Sequence, residues 1–313
     1  MSVNFHPFTR YKGNPIIDCN DIPYSANTVF NAAACKFEGK YILLLRIEDL
    51  SGYSHFTLAH SEDGYNFIVD DKPWLTPSQD PEYEIYERFG VEDPRITKIG
   101  DRFYITYTAF GPHGPRVGIG YTKNFKSFKR ISLATEVENK DAVLFPEKIN
   151  GHYVMIDRPG GNGGNASTIW ITYSTDLVFW GKAKALLSSE PGWSASKLGV
   201  STPPIKTEEG WLVLYHGVRQ TASGRLYRVG AMLLDLENPE KILGNTLHFI
   251  LGPEEFYERV GDVPNVIFPC GIILEEDQTV KLYYGAADTC IALAEASLSD
   301  LIALCKVDET LLR

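Results

Sequence analysis

One pattern recurs five times along the chain, and it constrains the fold more than any other feature of the sequence. In each case a short apolar run leads into a polar turn, and a second run rich in β-branched and aromatic residues follows the turn. The second runs occupy residues 40–47, 102–109, 152–159, 210–217 and 279–286. Two such runs joined by a polar turn are typical of a β-hairpin. We therefore predict the same hairpin in five successive units.

The spacing of these hairpins predicts a β-propeller. Corresponding residues of successive hairpins lie 50–69 residues apart, and a third apolar run follows each hairpin. Repeats of this length with three or four short strands are typical of propeller blades. We predict an all-β chain that forms a single domain over residues 1–313, a five-bladed β-propeller. A β-sandwich is the alternative, and it is disfavoured because sandwiches do not return to one hairpin at regular intervals.

Charge and cysteine usage narrow the class of protein. The net charge of -10 and the pI of about 5.2 argue against binding to nucleic acid or to an anionic membrane, because both favour a basic surface. The five cysteines form no CxxC motif, so we expect free thiols without structural zinc. No secretory signal is visible, and no apolar run approaches the ~18 residues of a membrane span. We expect a cytoplasmic protein, and its oligomeric state stays open, a homo-oligomer included.

The repeat assigns equivalent positions to residues that are distant in sequence. The seventh residue of each second run is Arg46, Thr108, Arg158, His216 or Gly285. Basic side chains at the end of an apolar strand are unfavourable unless they face something polar. We therefore predict that Arg46, Arg158 and His216 belong to one ring of basic groups that faces a central funnel.

A proline near the start of four of the five hairpins draws attention to Asp93. Asp93, Phe145, Pro203 and Phe268 each precede a proline, so we treat them as equivalent, with Asp93 the acidic exception. Asp93 is either a catalytic carboxylate or a structural one that pairs with Arg95 or with backbone amides. In extended chain Glu92 would point away from Asp93, so that only one of the two acids enters the cavity.

Longer motifs resemble glycoside hydrolase family 130. The motifs are GVEDPRI at 90–96, KDAVLFPEKINGHYVMIDRP at 140–159, STPPIKTEEGWLVLYHGV at 201–218, YRVGAMLLDLENP at 227–239, and IFPCG at 267–271 with LYYGAADTCIALA at 282–294. That family consists mainly of inverting β-mannoside phosphorylases, with some β-mannosidases, on a five-bladed propeller. The resemblance runs over nearly the whole chain, from about residue 14 to residue 294. Asp157 departs from it, since many relatives have histidine there.

The resemblance implies a role for each candidate site residue. Asp93 is implied as the catalytic acid, with its proton passing through the mannose 3-hydroxyl. The implied phosphate-binding residues are Arg158, Lys197, His216, Tyr227 and Lys140. The implied sugar-binding residues are Asn31, Arg46, Asp141 and Asp288. No metal or other cofactor is implied, and inorganic phosphate is a co-substrate.

The expected activity is therefore that of an inverting β-mannoside phosphorylase. It would cleave a terminal β-1,2- or β-1,4-mannosyl linkage of an oligosaccharide with phosphate and release α-mannose 1-phosphate. A β-mannosidase and a non-catalytic carbohydrate-binding propeller are the alternatives. An inverting hydrolase needs two carboxylates ~6.5–9.5 Å apart. A phosphorylase needs one acid and a group of side chains that donate hydrogen bonds to the phosphate anion. We expect the loops at 77–89 and 160–167 to decide which linkage is used.

Overall fold

The computed structural model describes residues 5–160 and 168–307, and this part of the chain is mostly β-structure. A 3₁₀-helix (Cys19–Asp21) and three short α-helices accompany the strands: α1 (Glu84–Glu87), α2 (Phe256–Arg259) and α3 (Leu298–Cys305). The strands are β1 (Thr9–Arg10), β2 (Thr28–Phe37), β3 (Lys40–Glu48), β4 (Ser54–Ser61), β5 (Ile68–Val69), β6 (Gly90–Ile99), β7 (Arg102–Gly111), β8 (Gly114–Thr122), β9 (Lys129–Leu133), β10 (Asn139–Leu144), β11 (Tyr153–Pro159), β12 (Ile169–Ser174), β13 (Trp180–Leu187), β14 (Lys197–Val200), β15 (Ile205–Thr207), β16 (Gly210–Thr221), β17 (Gly224–Leu234), β18 (Ile242–Asn245), β19 (Ile267–Leu274), β20 (Thr279–Ala286) and β21 (Cys290–Ser297).

The strands form five antiparallel units. Units three and four are the sheets β10–β11–β12–β13 and β14–β16–β17–β18, with β15 added to β16. Units one (β2–β5) and two (β6–β9) share one eight-stranded sheet, and a single parallel pair, Ser54 with Gly90, joins them. Unit five combines β19, β20 and β21 with β1 from the other end of the chain. The loop predicted at 160–167 falls largely outside the described residues, since 161–167 are not among them.

The predicted hairpins are confirmed, and so is the register of the seventh residues of their second runs. The hairpins are β2–β3, β6–β7, β10–β11, β15–β16 and β19–β20. The seventh residues pair with equivalent positions on a preceding strand: Phe30 with Arg46, Glu92 with Thr108, Lys140 with Arg158, Gly199 with His216, and Phe268 with Gly285. The polar and basic side chains of this column therefore lie at one level of their sheets.

Buried apolar clusters join each unit to the next. The shared clusters bring together Leu44 with Ile105, Ile119 with Met155, Ile156 with Val213, Leu214 with Leu282, and Leu43 with Tyr283. The last of these clusters packs unit five against unit one. Each fully buried aliphatic side chain contributes about 1.5–3 kcal/mol. The packing therefore passes through all five units and returns to the first, while closure into a propeller stays a prediction.

All five cysteines are free thiols, as predicted. None of the helices in the described part of the chain is long and apolar enough to cross a membrane. Within residues 5–160 and 168–307, no group of three or more His, Cys, Asp or Glu side chains is placed to hold a metal ion.

Candidate active site

Side chains from all five units line one cavity of about 380 Å³. Nine of the ten predicted site residues are among them: Asn31, Arg46, Asp93, Lys140, Asp141, Arg158, Lys197, Tyr227 and Asp288. Sequence reasoning missed eight further residues of the lining: Thr28, Phe30, Glu48, Arg225, Asp262, Val263, Val266 and Phe268. The repeat therefore brings the predicted residues to one place, and His216 is the exception.

Asp93 enters the cavity from a β-bulge. Two residues of β6, Asp93 and Pro94, oppose one residue of β7, and Asp93 has a φ of 48°. A left-handed conformation of this kind is tolerated best by Asn, Asp and Gly. A bulge also redirects the side chain of its extra residue away from the strand's alternation. The local fold therefore turns the Asp93 carboxylate towards the cavity.

The predicted equivalence of Asp93 with the other residues that precede prolines is wrong. The residues equivalent to Asp93 in the sheets do not precede prolines. The same bulge occurs at Asn31 in β2, with a φ of 50°, and at Asp141 in β10, with a φ of 55°. Phe145, which the prolines had aligned with Asp93, follows these bulges by several residues. Pro94 lies inside the bulge of β6, whereas Pro146 lies beyond the end of β10, so the prolines do not mark register. Asp93 is therefore one of two acidic residues at this level.

Two donors hold one oxygen of the Asp93 carboxylate. Asn31 Nδ2 and Arg46 Nη1 each lie 2.8 Å from Asp93 Oδ1. No described residue donates to Oδ2. Burial favours the neutral acid, but the charges of Arg46, Arg95 and Lys140 outweigh it and hold the pKa of Asp93 below its usual value. Asp93 is therefore ionised in the free protein, with Oδ2 left to receive a proton.

Glu92 and Asp93 approach the same arginine, which the expected alternation of an extended strand does not allow. Arg46 Nη2 lies 3.1 Å from Glu92 Oε1, and Lys140 Nζ lies 3.1 Å from Glu92 Oε2. The alternation fails because the chain is not extended at Asp93. Only Asp93 lines the cavity, as predicted, and Glu92 lies beside it. Arg95 does not pair with the Asp93 side chain and instead donates to its backbone carbonyl.

Asp141 is held by basic groups on several sides. Arg158 Nε lies 2.6 Å from Asp141 Oδ2, and Arg95 Nη2 lies 3.4 Å from Oδ1. Burial alone would raise the pKa of Asp141, but Arg158 and the other basic groups hold it well below its usual range. Asp141 is therefore an ionised carboxylate that fixes the guanidinium of Arg158 at the cavity wall.

His216 lies one layer behind the cavity and is not a cation. Its side chain is fully buried and absent from the lining, and its Nε2 lies 3.6 Å from Asp141 Oδ2. Burial lowers the pKa of His216 to about 3, so the ring is neutral near pH 7. Ser201 Oγ lies 3.3 Å from Nδ1. The predicted position facing the funnel is therefore wrong, because β16 packs this residue against Phe268 instead.

The part of the cavity wall that unit four forms carries cations without carboxylate partners. Among the described residues, no Asp or Glu lies within 4.0 Å of Lys197 or Arg225, although both line the cavity. Burial, together with the charges of Arg158, Lys140 and Arg225, lowers the pKa of Lys197 to about 8. Cations that crowd one another in this way favour a bound anion. The wall is therefore arranged to bind an anion.

Two other acids differ in their relation to the cavity. Asp288 lies in the turn between β20 and β21 and lines the cavity, where burial raises its pKa to about 7. Asp157 follows Ile156 in β11, so it lies on the face opposite Arg158. It accepts a hydrogen bond of 2.7 Å from Asn139 Nδ2, and burial raises its pKa to about 6. The departure from the family at Asp157 is therefore not in the cavity itself.

Comparisons with known proteins agree with this geometry. The model of glycoside hydrolase family 130, described as β-1,4-mannooligosaccharide phosphorylase, matches residues 8–307. A β-1,4-mannooligosaccharide phosphorylase of Ruminococcus albus is 34% identical, covering 94% of this chain and 89% of that protein. A 1,2-β-oligomannan phosphorylase of a Thermoanaerobacter species is 39% identical over 87% of this chain and 91% of that protein. The structure of the Listeria innocua β-1,2-mannobiose phosphorylase in complex with β-1,2-mannobiose has a TM-score of 0.88 and 31% identity, covering 96% of this chain and 99% of that one.

Proposed function

The chain belongs to glycoside hydrolase family 130, and we propose that it is an inverting β-mannoside phosphorylase. It cleaves a terminal β-1,2- or β-1,4-mannosyl linkage with inorganic phosphate and yields α-mannose 1-phosphate and a shortened acceptor. The observation that carries this proposal is a cavity lined by Asp93 together with four cations, Lys140, Arg158, Lys197 and Arg225. Two of these cations, Lys197 and Arg225, have no carboxylate within 4.0 Å among the described residues. A hydrolase needs a second carboxylate to activate water, whereas a phosphorylase needs donors that hold its anionic nucleophile.

Asp93 is the acid that protonates the leaving oxygen. Its Oδ1 is committed to Asn31 and Arg46, so the transferred proton is carried on Oδ2. In the free protein, nearby cations keep the carboxylate ionised. Phosphate brings negative charge to Lys140, one of these cations, which weakens its field at Asp93 and raises the proton affinity of the carboxylate. Binding of the nucleophile thus prepares the acid.

Arg158, Lys197, Lys140 and Tyr227 bind phosphate, and Asn31, Arg46 and Asp288 contact the mannose. His216 supports this site from behind, by packing next to the Asp141 carboxylate that fixes Arg158. Asp141 is itself a sugar contact where its surface reaches the cavity. Every step uses side chains of this chain and phosphate, so the reaction as proposed involves no other cofactor.

The five units close into a single five-bladed propeller with this cavity at its centre. Two observations support the closure: β1 completes the sheet of the last strands, and an apolar cluster joins unit five to unit one. The free cysteines suit a reducing compartment, so the enzyme acts in the cytoplasm. A crystal structure with phosphate and mannose would test the closure and the assignment of each subsite together.

One assay separates the proposed activity from its alternatives. The purified protein is incubated with β-1,2- and β-1,4-mannobiose with and without phosphate, and mannose and mannose 1-phosphate are measured separately. We expect mannose 1-phosphate, and only when phosphate is present. Equal release of free mannose in phosphate-free buffer would make the protein a β-mannosidase, a reading to which Asp262 and Glu48 in the cavity lining give some support. Sugar binding without cleavage would leave a carbohydrate-binding protein.

The linkage is assigned by the reverse reaction. Mannose 1-phosphate is offered with a panel of acceptors, among them mannose, glucose and mannobiose, and the linkage of each di- or trisaccharide formed is identified. The relatives quoted above include both β-1,2- and β-1,4-specific enzymes, so the product linkage, rather than overall similarity, decides between them.

A further inference from the structure

The β16–β17 hairpin extends further than its counterparts. His216 pairs with Val229 across the two strands, and five more cross-strand pairs follow towards the turn, the last of them Thr221 with Gly224. In unit one, only two pairs follow the equivalent pair of Arg46 with Phe56. At about 3.4 Å per residue, the longer hairpin projects roughly 10 Å further. Its outer part therefore carries side chains beyond the level at which the other units end.

One face of this hairpin carries a row of side chains that can donate hydrogen bonds to an anion. Directly opposed residues of antiparallel strands lie on the same face, as do residues two positions apart. Val218 of β16 lies opposite both Lys197 of β14 and Tyr227 of β17. The next pair outward on the same face is Gln220 with Arg225. Lys197, Tyr227 and Arg225 all line the cavity. Arg225 is therefore the outward continuation of the row.

The two cations of this row differ in exposure. Lys197 is partly buried in the cavity wall, whereas Arg225 is exposed at its rim. Neither has a carboxylate within 4.0 Å among the described residues, as noted above. A planar guanidinium binds phosphate oxygens through two parallel hydrogen bonds. The rim thus offers an arginine whose fork is not already occupied by a carboxylate.

We propose that Arg225 is the outermost anion-binding group of the phosphate site. Arg225 binds incoming phosphate at the rim, before the phosphate reaches the donors deeper in the cavity. The proposal rests on the proposed function, since it names a further residue of the same site. Nothing in the sequence motifs singles out Arg225. Its position follows from the alternation of side chains along β17 and from the length of the hairpin.

The test measures the initial rate of phosphorolysis over a series of phosphate concentrations for Arg225→Ala. We expect the KM for phosphate to rise about fivefold, with the KM for mannoside and kcat within twofold of the wild type. The inhibition constant of sulfate, measured in competition with phosphate, should rise by a similar factor. Arg225→Lys keeps the charge and loses the fork, so its KM should lie between the two.

Arg219→Ala is the matched control. Arg219 is exposed, lies on the same hairpin and carries the same charge, but it opposes Leu226 on the other face and does not line the cavity. Its removal should change the KM for phosphate less than twofold. Equal effects of the two variants would overturn the proposal, because they would reflect only the loss of one positive charge.

The outcome also distinguishes this proposal from the proposed function. If the wild type cleaves mannoside equally fast without phosphate, the proposed function fails. If the wild type requires phosphate and Arg225→Ala keeps its KM, only the role of Arg225 fails. Unfolding temperatures of the variants show whether each is folded. If Arg225→Ala is not folded, Arg225→Lys takes its place. An unchanged KM for phosphate in Arg225→Lys, together with unchanged sulfate inhibition, then refutes the role of Arg225 in phosphate binding.

Discussion

Replacing Arg158 by alanine should weaken phosphate binding and destabilise the fold, for separate reasons. Arg158 Nε lies 2.6 Å from Asp141 Oδ2, and both side chains are less than a tenth exposed. Breaking a buried ion pair strands the remaining charge and costs about 3–5 kcal/mol. We expect the lower end, because Arg95 stays within 3.4 Å of Asp141. The lost donor should also cost about 1.5–3 kcal/mol in phosphate binding, a roughly ten- to hundredfold rise in KM.

A second substitution separates these two effects. In Arg158→Ala/Asp141→Asn the stranded charge is gone, so much of the lost stability should return while the KM for phosphate stays high. Urea unfolding followed by tryptophan fluorescence measures the first quantity, and initial rates over a phosphate series measure the second. Asp141→Asn alone reports how much mannoside affinity belongs to Asp141. Recovery of phosphate affinity in the double variant would refute the direct role of Arg158, as would a rise in the KM for mannoside without one for phosphate.

Three further changes test other parts of the site. Asp93→Asn keeps shape and hydrogen bonding but carries no transferable proton, so kcat should fall about 10²–10⁴-fold with little change in unfolding temperature; a smaller loss would assign the acid to another residue. Gly199→Ala places a Cβ 2.4 Å from His216 Cε1 and 2.6 Å from Asp141 Oδ2, so urea unfolding should show a loss of about 1–3 kcal/mol, and wild-type stability would contradict the packing described. The pKa of Lys197 lies near 8, below its usual 10.5, so its charge is present below pH 8 and is lost as pH rises through that value; the KM for phosphate should rise above pH 8 in the wild type, and an identical rise in Lys197→Met would assign the titration to another group.

The sequence predicts hairpins and their register well because both depend on local patterns. Alternating apolar residues and polar turns determine where strands pair, and the column from Arg46 to Gly285 occupies equivalent ladder positions as predicted. The prolines failed as markers for a physical reason. Pro94 lies inside the bulge of β6 and Pro146 lies beyond the end of β10, and a proline is tolerated at either place because neither needs its N–H for the ladder. Bulges leave no reliable signal in a single sequence.

Burial explains the other differences. His216 occupies the predicted level, but the strand face it shares with Leu214 packs against unit five, so the ring lies behind Asp141 and is neutral. Which of two neighbouring units a strand face packs against depends on the arrangement of the whole sheet. Arg225 was missed although a signal was present: it lies two residues before Tyr227 in a strand, where the alternation of side chains places both on one face.

The bulge at Asn31, Asp93 and Asp141 limits what the centre of this site can contain. All three residues are left-handed, with φ between 48° and 55°, a conformation that costs most residues about 1–2 kcal/mol but is tolerated by Asn and Asp. The same backbone therefore supplies an amide that donates to the proposed acid, that acid itself, and a carboxylate that fixes the guanidinium of Arg158. Asp93→Ala would combine the loss of the proton donor with strain at the bulge. Asn is the substitution that keeps the backbone preference and removes only the acid, so its loss of activity measures the chemistry of Asp93.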